Sequence, residues 1–116
     1  IYNEIRGGGR MNDLTLNCSQ MIAKSGSAKS MFIQAIREAR KNNLEAAADL
    51  MKKGNENLLE GHRIHARLIQ KEAQNDKVEI NLLLVHAEDQ MNSAEIIQNI
   101  SEEFIVLYKE KSKEEY

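Results

Sequence analysis

The sequence predicts an all-α protein, an antiparallel three-helix bundle, and three observations carry that expectation. Apolar residues recur at steps of three and four along three long segments. The chain contains no proline, so nothing inside those segments removes a backbone donor or clashes with the preceding turn. The helix formers Ala, Leu, Glu, Lys, Gln, Met and Ile together make up more than half of the chain, and most of them lose little side-chain freedom in a helix. A chain of 116 residues suffices for one small domain. Its core is limited, and association with further copies would extend it.

The first segment covers residues 11–42, with Leu14, Cys18, Met21, Ile22, Phe32, Ala35, Ile36 and Ala39 at helical spacing. Ser25-Gly26-Ser27 interrupts the stripe, and the register resumes beyond it, which predicts a kink or a close-packing site. Lys41-Asn42-Asn43 closes the segment with positive charge and an Asn cap. Residues 1–10 are unlike the rest. Gly7-Gly8-Gly9 is a flexible joint and Met11 a possible initiator, so 1–10 reads as a tag or disordered extension and 11–116 as the helical domain.

The second segment, residues 44–73, carries the stripe Leu44, Ala48, Met51, Asn55, Leu58, His62, His65 and Ile69. Gly54 and Gly61 weaken its helix propensity. Gln74-Asn75-Asp76-Lys77 makes a polar turn. The third segment runs over residues 78–111. Val78, Ile80, Leu82 and Leu84 alternate as a strand would, but a lone strand has no partner, so helix is preferred. The charged tail, residues 109–115, is expected to fray.

A formal net charge of −2 and the absence of a concentrated basic face argue against nucleic-acid binding. One cysteine, Cys18, cannot form an internal disulfide, which suits a reducing compartment. No apolar run approaches the roughly 18 residues of a membrane span and no secretory signal is visible. The expected location is the cytoplasm.

The third segment holds the candidate site. With His86 at the origin of a wheel turning about 100° per residue, Ser93, Ile97, Ile100 and Phe104 fall near the same line. Asp89, Gln90, Leu107 and Tyr108 lie within about 60° of it. Glu88, Glu95, Gln98, Asn99, Glu102 and Lys109 fall on the opposite face, expected to meet solvent. An inward stripe holding His86, Asp89, Gln90 and Ser93 is costly unless those groups are paired or used. His62 and His65 interrupt the second stripe in the same way, and antiparallel packing brings both polar patches to one end of the bundle.

His62-x-x-His65 places two rings on one helix face, but no carboxylate or cysteine pattern completes a zinc site, so these read as core or interface histidines. Cys18, on an apolar stripe, reads as a buried small residue rather than a nucleophile. His86 alone would read as structural. Asp89 and Ser93 in line with it leave structural and chemical roles both open. A P-loop, a Gly-x-Ser-x-Gly elbow and a Cys-x-x-Cys pair are all absent.

The segment Leu82-Leu83-Leu84-Val85-His86-Ala87-Glu88-Asp89 resembles the Leu-Val-His-Ala-Gln-Asp signature of the lactose/cellobiose-type enzyme IIA family of the bacterial phosphoenolpyruvate-dependent sugar phosphotransferase system. Ser25-Gly26-Ser27-Ala28-Lys29-Ser30 is similar to the family's Ser-Gly-x-Ala-x-Ser segment, Asn43-Leu44-Glu45-Ala46-Ala47 to its second-helix entry, and His62 through Leu68-Ile69 to its His-x-x-x-x-x-Leu-Ile stretch. The resemblance covers residues 11–111. It implies a three-helix protomer that forms a trimer. It implies that His86 accepts a phosphoryl group from phospho-HPr and passes it to a cysteine of enzyme IIB, which works with the membrane component enzyme IIC in disaccharide uptake. It further implies that Asp89 lies near the trimer axis and helps bind a divalent cation, typically magnesium, and that His62 supports the site. Glu88 and Gln90 depart from the pattern, standing where glutamine and histidine are usual; Gln90 shares the face of His86 and is a candidate phosphate contact. The rival readings are a non-catalytic helical adaptor and a histidine phosphotransfer domain of two-component signalling. An open rather than packed His86 separates the carrier from the adaptor.

Overall fold

The computed structural model describes residues 13–114; the extension read at residues 1–10 lies outside them. Three helices follow one another: α1 (Asp13–Arg40), α2 (Leu44–Ala73) and α3 (Leu82–Glu114). The alternation at Val78–Leu84 does not become a strand. α3 starts four residues later than its apolar pattern suggests, because Asn81 caps it: its side-chain oxygen accepts the Leu84 N–H at 2.9 Å and its carbonyl the Val85 N–H at 3.1 Å. The tail expected to fray stays helical to Glu114, with Lys111 and Lys113 in the last turn where cations complement the helix dipole.

Both earlier helices end at an asparagine in the left-handed region, Asn42 (φ 66°) and Asn75 (φ 62°). At the first of these, the Asn42 and Asn43 N–H groups reach back to Ala39 and Glu38 carbonyls at 2.9 and 2.8 Å. The Asn43 side chain does not cap α2; it donates instead to a Glu38 carboxylate oxygen at 2.8 Å.

α1 packs against both other helices along its length, whereas α2 and α3 meet only sparsely. The result is a long, thin slab of 63 × 31 × 19 Å. α1 runs unbroken through Ser25-Gly26-Ser27, and the close packing falls on Ser25, which is fully buried, while Gly26 faces open space.

Phe32 is the largest fully buried side chain, and burying such a ring stabilises a fold by about 1.5–3 kcal/mol. It lies against α2 at Gly54, where an added Cβ would stand 2.5 Å from a ring carbon. This close approach rotates α2 relative to its expected stripe. Its buried line is Ala47, Met51, Gly54, Leu58, Gly61, Ile64 and Leu68; Ala48 and Ile69 are exposed, and His62 and His65 are half-buried at the edge facing α3. The same substitution of small for large residues rotates α3. It presents Ala87, Met91, Ala94, Ser101 and Ile105 to the core, not the line through His86, Ile100 and Phe104. Those three, with Leu82, Val85, Ile96, Val106 and Leu107, are exposed.

Candidate functional site

His86 lies in the second turn of α3, just after the Asn81 cap, and its ring is open to solvent. The expectation that it faces inward is therefore corrected: its neighbour Ala87 takes the inward position, fully buried among Cys18, Met21, Ile64, Leu68 and Met91, and His86, one position earlier along the helix, is turned about 100° away. Asp89 is exposed on the same outer sector. Ser93 is half-buried and donates its hydroxyl back to the Asp89 carbonyl at 2.9 Å and the Gln90 carbonyl at 3.2 Å, so its proton is used within the helix. Gln90, one turn beyond His86, accepts a hydrogen bond through its side-chain oxygen from the Lys29 ammonium of α1.

His62 and His65 lie elsewhere in the protomer. His62 Nε2 is 3.0 Å from a Glu95 carboxylate oxygen, and His65 Nε2 is 2.6 Å from one of Glu88. On a 100° wheel, Glu88 and Glu95 lie about 180–200° from His86. Within one subunit, α3 itself thus separates His62 from His86, and a cleft shared by the two rings requires a neighbouring copy. Glu88, a departure from the family pattern, points at α2 and engages His65 rather than the His86 face.

Together with Gln98 Nε2 donating to Asn55 Oδ1 at 2.6 Å, these pairs form a polar ladder along the sparse α2–α3 seam. The wheel sets Glu88, Glu95 and Gln98 on the solvent face; they are half-buried, whereas Asn99, Glu102 and Lys109 are exposed as expected. The spacing held part of the signal. Read antiparallel, α2 steps by three and seven from His65 through His62 to Asn55, and α3 by seven and three from Glu88 through Glu95 to Gln98, so the two ten-residue spans match at their ends and the middle pair is offset by about one turn. The Lys29–Gln90 bond had no comparable signal, because it depends on the rotation of α1 against α3.

Cys18 is fully buried, as its stripe implies, and burial first, then the nearby Glu88 charge, push its thiol above the usual range. A thiol so placed is a poor nucleophile. An apolar groove between α2 and α3, lined by Met51, Leu59, Ile105 and Val106, sits toward the far end of α3. Ile105 is nineteen residues beyond His86, about 28 Å along the helix, so the groove is not part of the histidine site. Among the described residues, no group of three or more His, Cys, Asp or Glu side chains could hold a metal ion, and no helix is long and apolar enough to cross a membrane.

Fold and site together define a small all-α module that displays one open imidazole on an otherwise unpartnered helix face. Comparison with known proteins identifies the module. Residues 17–109 match the family described as the PTS system, lactose/cellobiose specific IIA subunit. The oligo-beta-mannoside-specific EIIA component of Bacillus subtilis is 34% identical over 93 residues, covering 80% of this chain and 84% of its own length. The lichenan-specific enzyme IIA component of the same organism is 34% identical over 89 residues, covering 77% and 81%. The crystal structure of the cellobiose-specific enzyme IIA from Bacillus anthracis superimposes with a TM-score of 0.86 at 33% identity, covering 92% of this chain and 98% of that one. The chain belongs to the lactose/cellobiose-specific IIA family of the sugar phosphotransferase system.

Proposed function

We propose that this IIA protein is a cytoplasmic phosphocarrier that accepts a phosphoryl group from phospho-HPr on His86 and hands it to a cysteine of enzyme IIB during disaccharide uptake. One observation carries the reading: the histidine of the Leu-Val-His-Ala-x-Asp segment is open to solvent on the outer face of α3, where a docked protein can reach it. A packed His86 would have favoured the structural adaptor. Neutral imidazole is a good nucleophile near pH 7, and a phosphorylated imidazole is a reactive donor. In the first step a ring nitrogen of His86 forms a bond to phosphorus as the bond from phosphorus to HPr breaks. In the second, the thiolate of enzyme IIB bonds to phosphorus as the His86 nitrogen leaves. Such transfers require in-line placement and screening of the phosphoryl oxygens more than covalent help from the protein. Gln90, one turn away, supplies an amide for that screening.

The working form in this reading is a homotrimer. Asp89, Ser93, Ile96, Ile100, Glu103 and Leu107 follow one another at steps of four and three on the outer face of α3, the spacing of a helix seam. All but the half-buried Ser93 are exposed in the protomer. One Asp89 carboxylate is too little to hold a divalent cation, but three of them around a common axis supply oxygen ligands of the kind magnesium takes. Such a cation would neutralise carboxylate repulsion and fix the assembly. A neighbouring subunit would also place its own His62 near His86. The related IIA proteins named above carry the names of different sugars; in this reading, selectivity among disaccharides lies mostly in the membrane component, enzyme IIC.

Incubation with phosphoenolpyruvate, enzyme I and HPr tests the reading. It predicts one acid-labile, alkali-stable phosphoryl group per chain; a protein that stays unmodified while HPr is phosphorylated contradicts it.

A further inference from the structure

Lys29 is a half-buried cation on α1 whose ammonium is bonded to the neutral side-chain oxygen of Gln90, and among the described residues no carboxylate pairs with it. The other cations of α1 are committed or remote. Lys24 is 2.7 Å from Glu60, and Arg37 and Arg40 lie in the last turn. On α3, Lys109 comes twenty-three residues after His86, about 35 Å along the axis. Lys29 is therefore the cation that the protomer's α1–α3 packing brings to the His86 end of the outer face.

We infer that Lys29 is a positioning residue for phosphoryl transfer: by holding the Gln90 side-chain oxygen, it turns the amide's two N–H donors toward the phosphoryl group on His86. This rests on the carrier reading above. An amide presents an acceptor at one end and donors at the other, and its flip is set by its partners. The ammonium has donors only, so it takes the oxygen. What remains is the NH₂ end, the end that the phosphoryl oxygens can use. Long side chains on a helix lean over the turn N-terminal to their own Cα, and for Gln90 that is the turn carrying His86. Residues four apart on a helix have Cβ atoms about 5–6 Å apart. A phosphoryl group brings roughly 1.5–2 negative charges near pH 7; against it, an amide polarised by a cation is a better donor than a bare one, and an amide flipped the other way would repel it. Gln90 stands where the family pattern has histidine, so the Lys29–Gln90 pair is this chain's own arrangement of the position.

The test compares three variants with the wild type in transfer from phospho-HPr, with thermal unfolding followed in parallel. Lys29→Met removes the ammonium and keeps most of the stem; transfer is expected to fall about five- to tenfold, the scale of one charge-assisted contact. Lys29→Arg keeps a donor-only cation and should stay within about twofold of wild type. Gln90→Glu replaces the weak neutral partner with an ion pair to Lys29, so a purely structural bond predicts unchanged or higher melting temperature and unchanged transfer. The positioning role predicts a loss at least as large as that of Lys29→Met, because oxygen replaces the donor end. Wild-type transfer by Lys29→Met or by Gln90→Glu overturns the inference while leaving the carrier reading intact. Equal losses in Lys29→Met and Lys29→Arg that track melting temperature also overturn it. A wild-type protein that takes no phosphoryl group at all overturns both.

Discussion

The two faces of α3 are built from opposite materials. The face against α1 uses Ala87, Met91, Ala94, Ser101 and Ile105, mostly small side chains that let the helix axes approach. The outer face carries His86 and Asp89 and then larger apolar residues, with Ile96, Ile100, Phe104 and Leu107 all more than 40% exposed. A protein folding only for itself would exchange the two sets and gain burial at about 25 cal/mol per Å². The observed assignment leaves the large apolar side chains outside the protomer's core, where the proposed trimer would use them, and keeps His86 accessible at one end of that surface. Stability of the protomer and its proposed function thus fall on two sides of one helix.

That division can be broken from either side. The largest expected effect comes from the outer face: Ile100→Asp puts a charge into the proposed seam and should convert a trimer to monomers at micromolar concentration while circular dichroism stays helical. Light scattering reads the mass; an unchanged mass would show that the outer apolar stripe serves something other than assembly. On the inner side, Gly54→Ala drives a methyl group into the buried Phe32 ring, which must shift. Overpacking of this kind costs about 1–3 kcal/mol, measurable as a lower urea midpoint with assembly retained. Gly61→Ala is the control in the same helix. Its Cβ would meet Lys24 and Met91 atoms at 3.7 Å, ordinary contact, so the gain in helix propensity of up to about 1 kcal/mol should appear as a higher midpoint. Equal effects at the two glycines would contradict the tight α1–α2 crossing at Phe32.

The contrast also explains what the sequence made legible. Helix number, order and turns were readable because spacing, Asn caps and the absence of proline act locally. The rotation of α2 and α3 was not. A wheel weights large apolar residues as core, whereas here Gly54, Gly61, Ala87 and Ala94 occupy the core and Ile100 and Phe104 do not. Periodicity marks that a helix has a preferred face; it does not distinguish the face toward its own bundle from the face toward another copy. The same rotation hid the His–Glu ladder and the Lys29–Gln90 bond, both of which depend on which sides of the helices meet. The motif at His86 survived the rotation because its recognition rests on residue order rather than on orientation.

The central claim is that His86, and neither of the seam histidines, receives the phosphoryl group. His62 and His65 each have a carboxylate partner and lie behind α3 in the protomer; His86 is the open ring. The direct measurement is phosphorylation by phospho-HPr of the wild type and of His86→Gln, His62→Gln and His65→Gln, each read by mass spectrometry under alkaline conditions. The account predicts full labelling of the wild type and of His65→Gln, slower labelling of His62→Gln, and none of His86→Gln, with all four proteins unfolding at similar temperatures. Full labelling of the His86→Gln protein would contradict it.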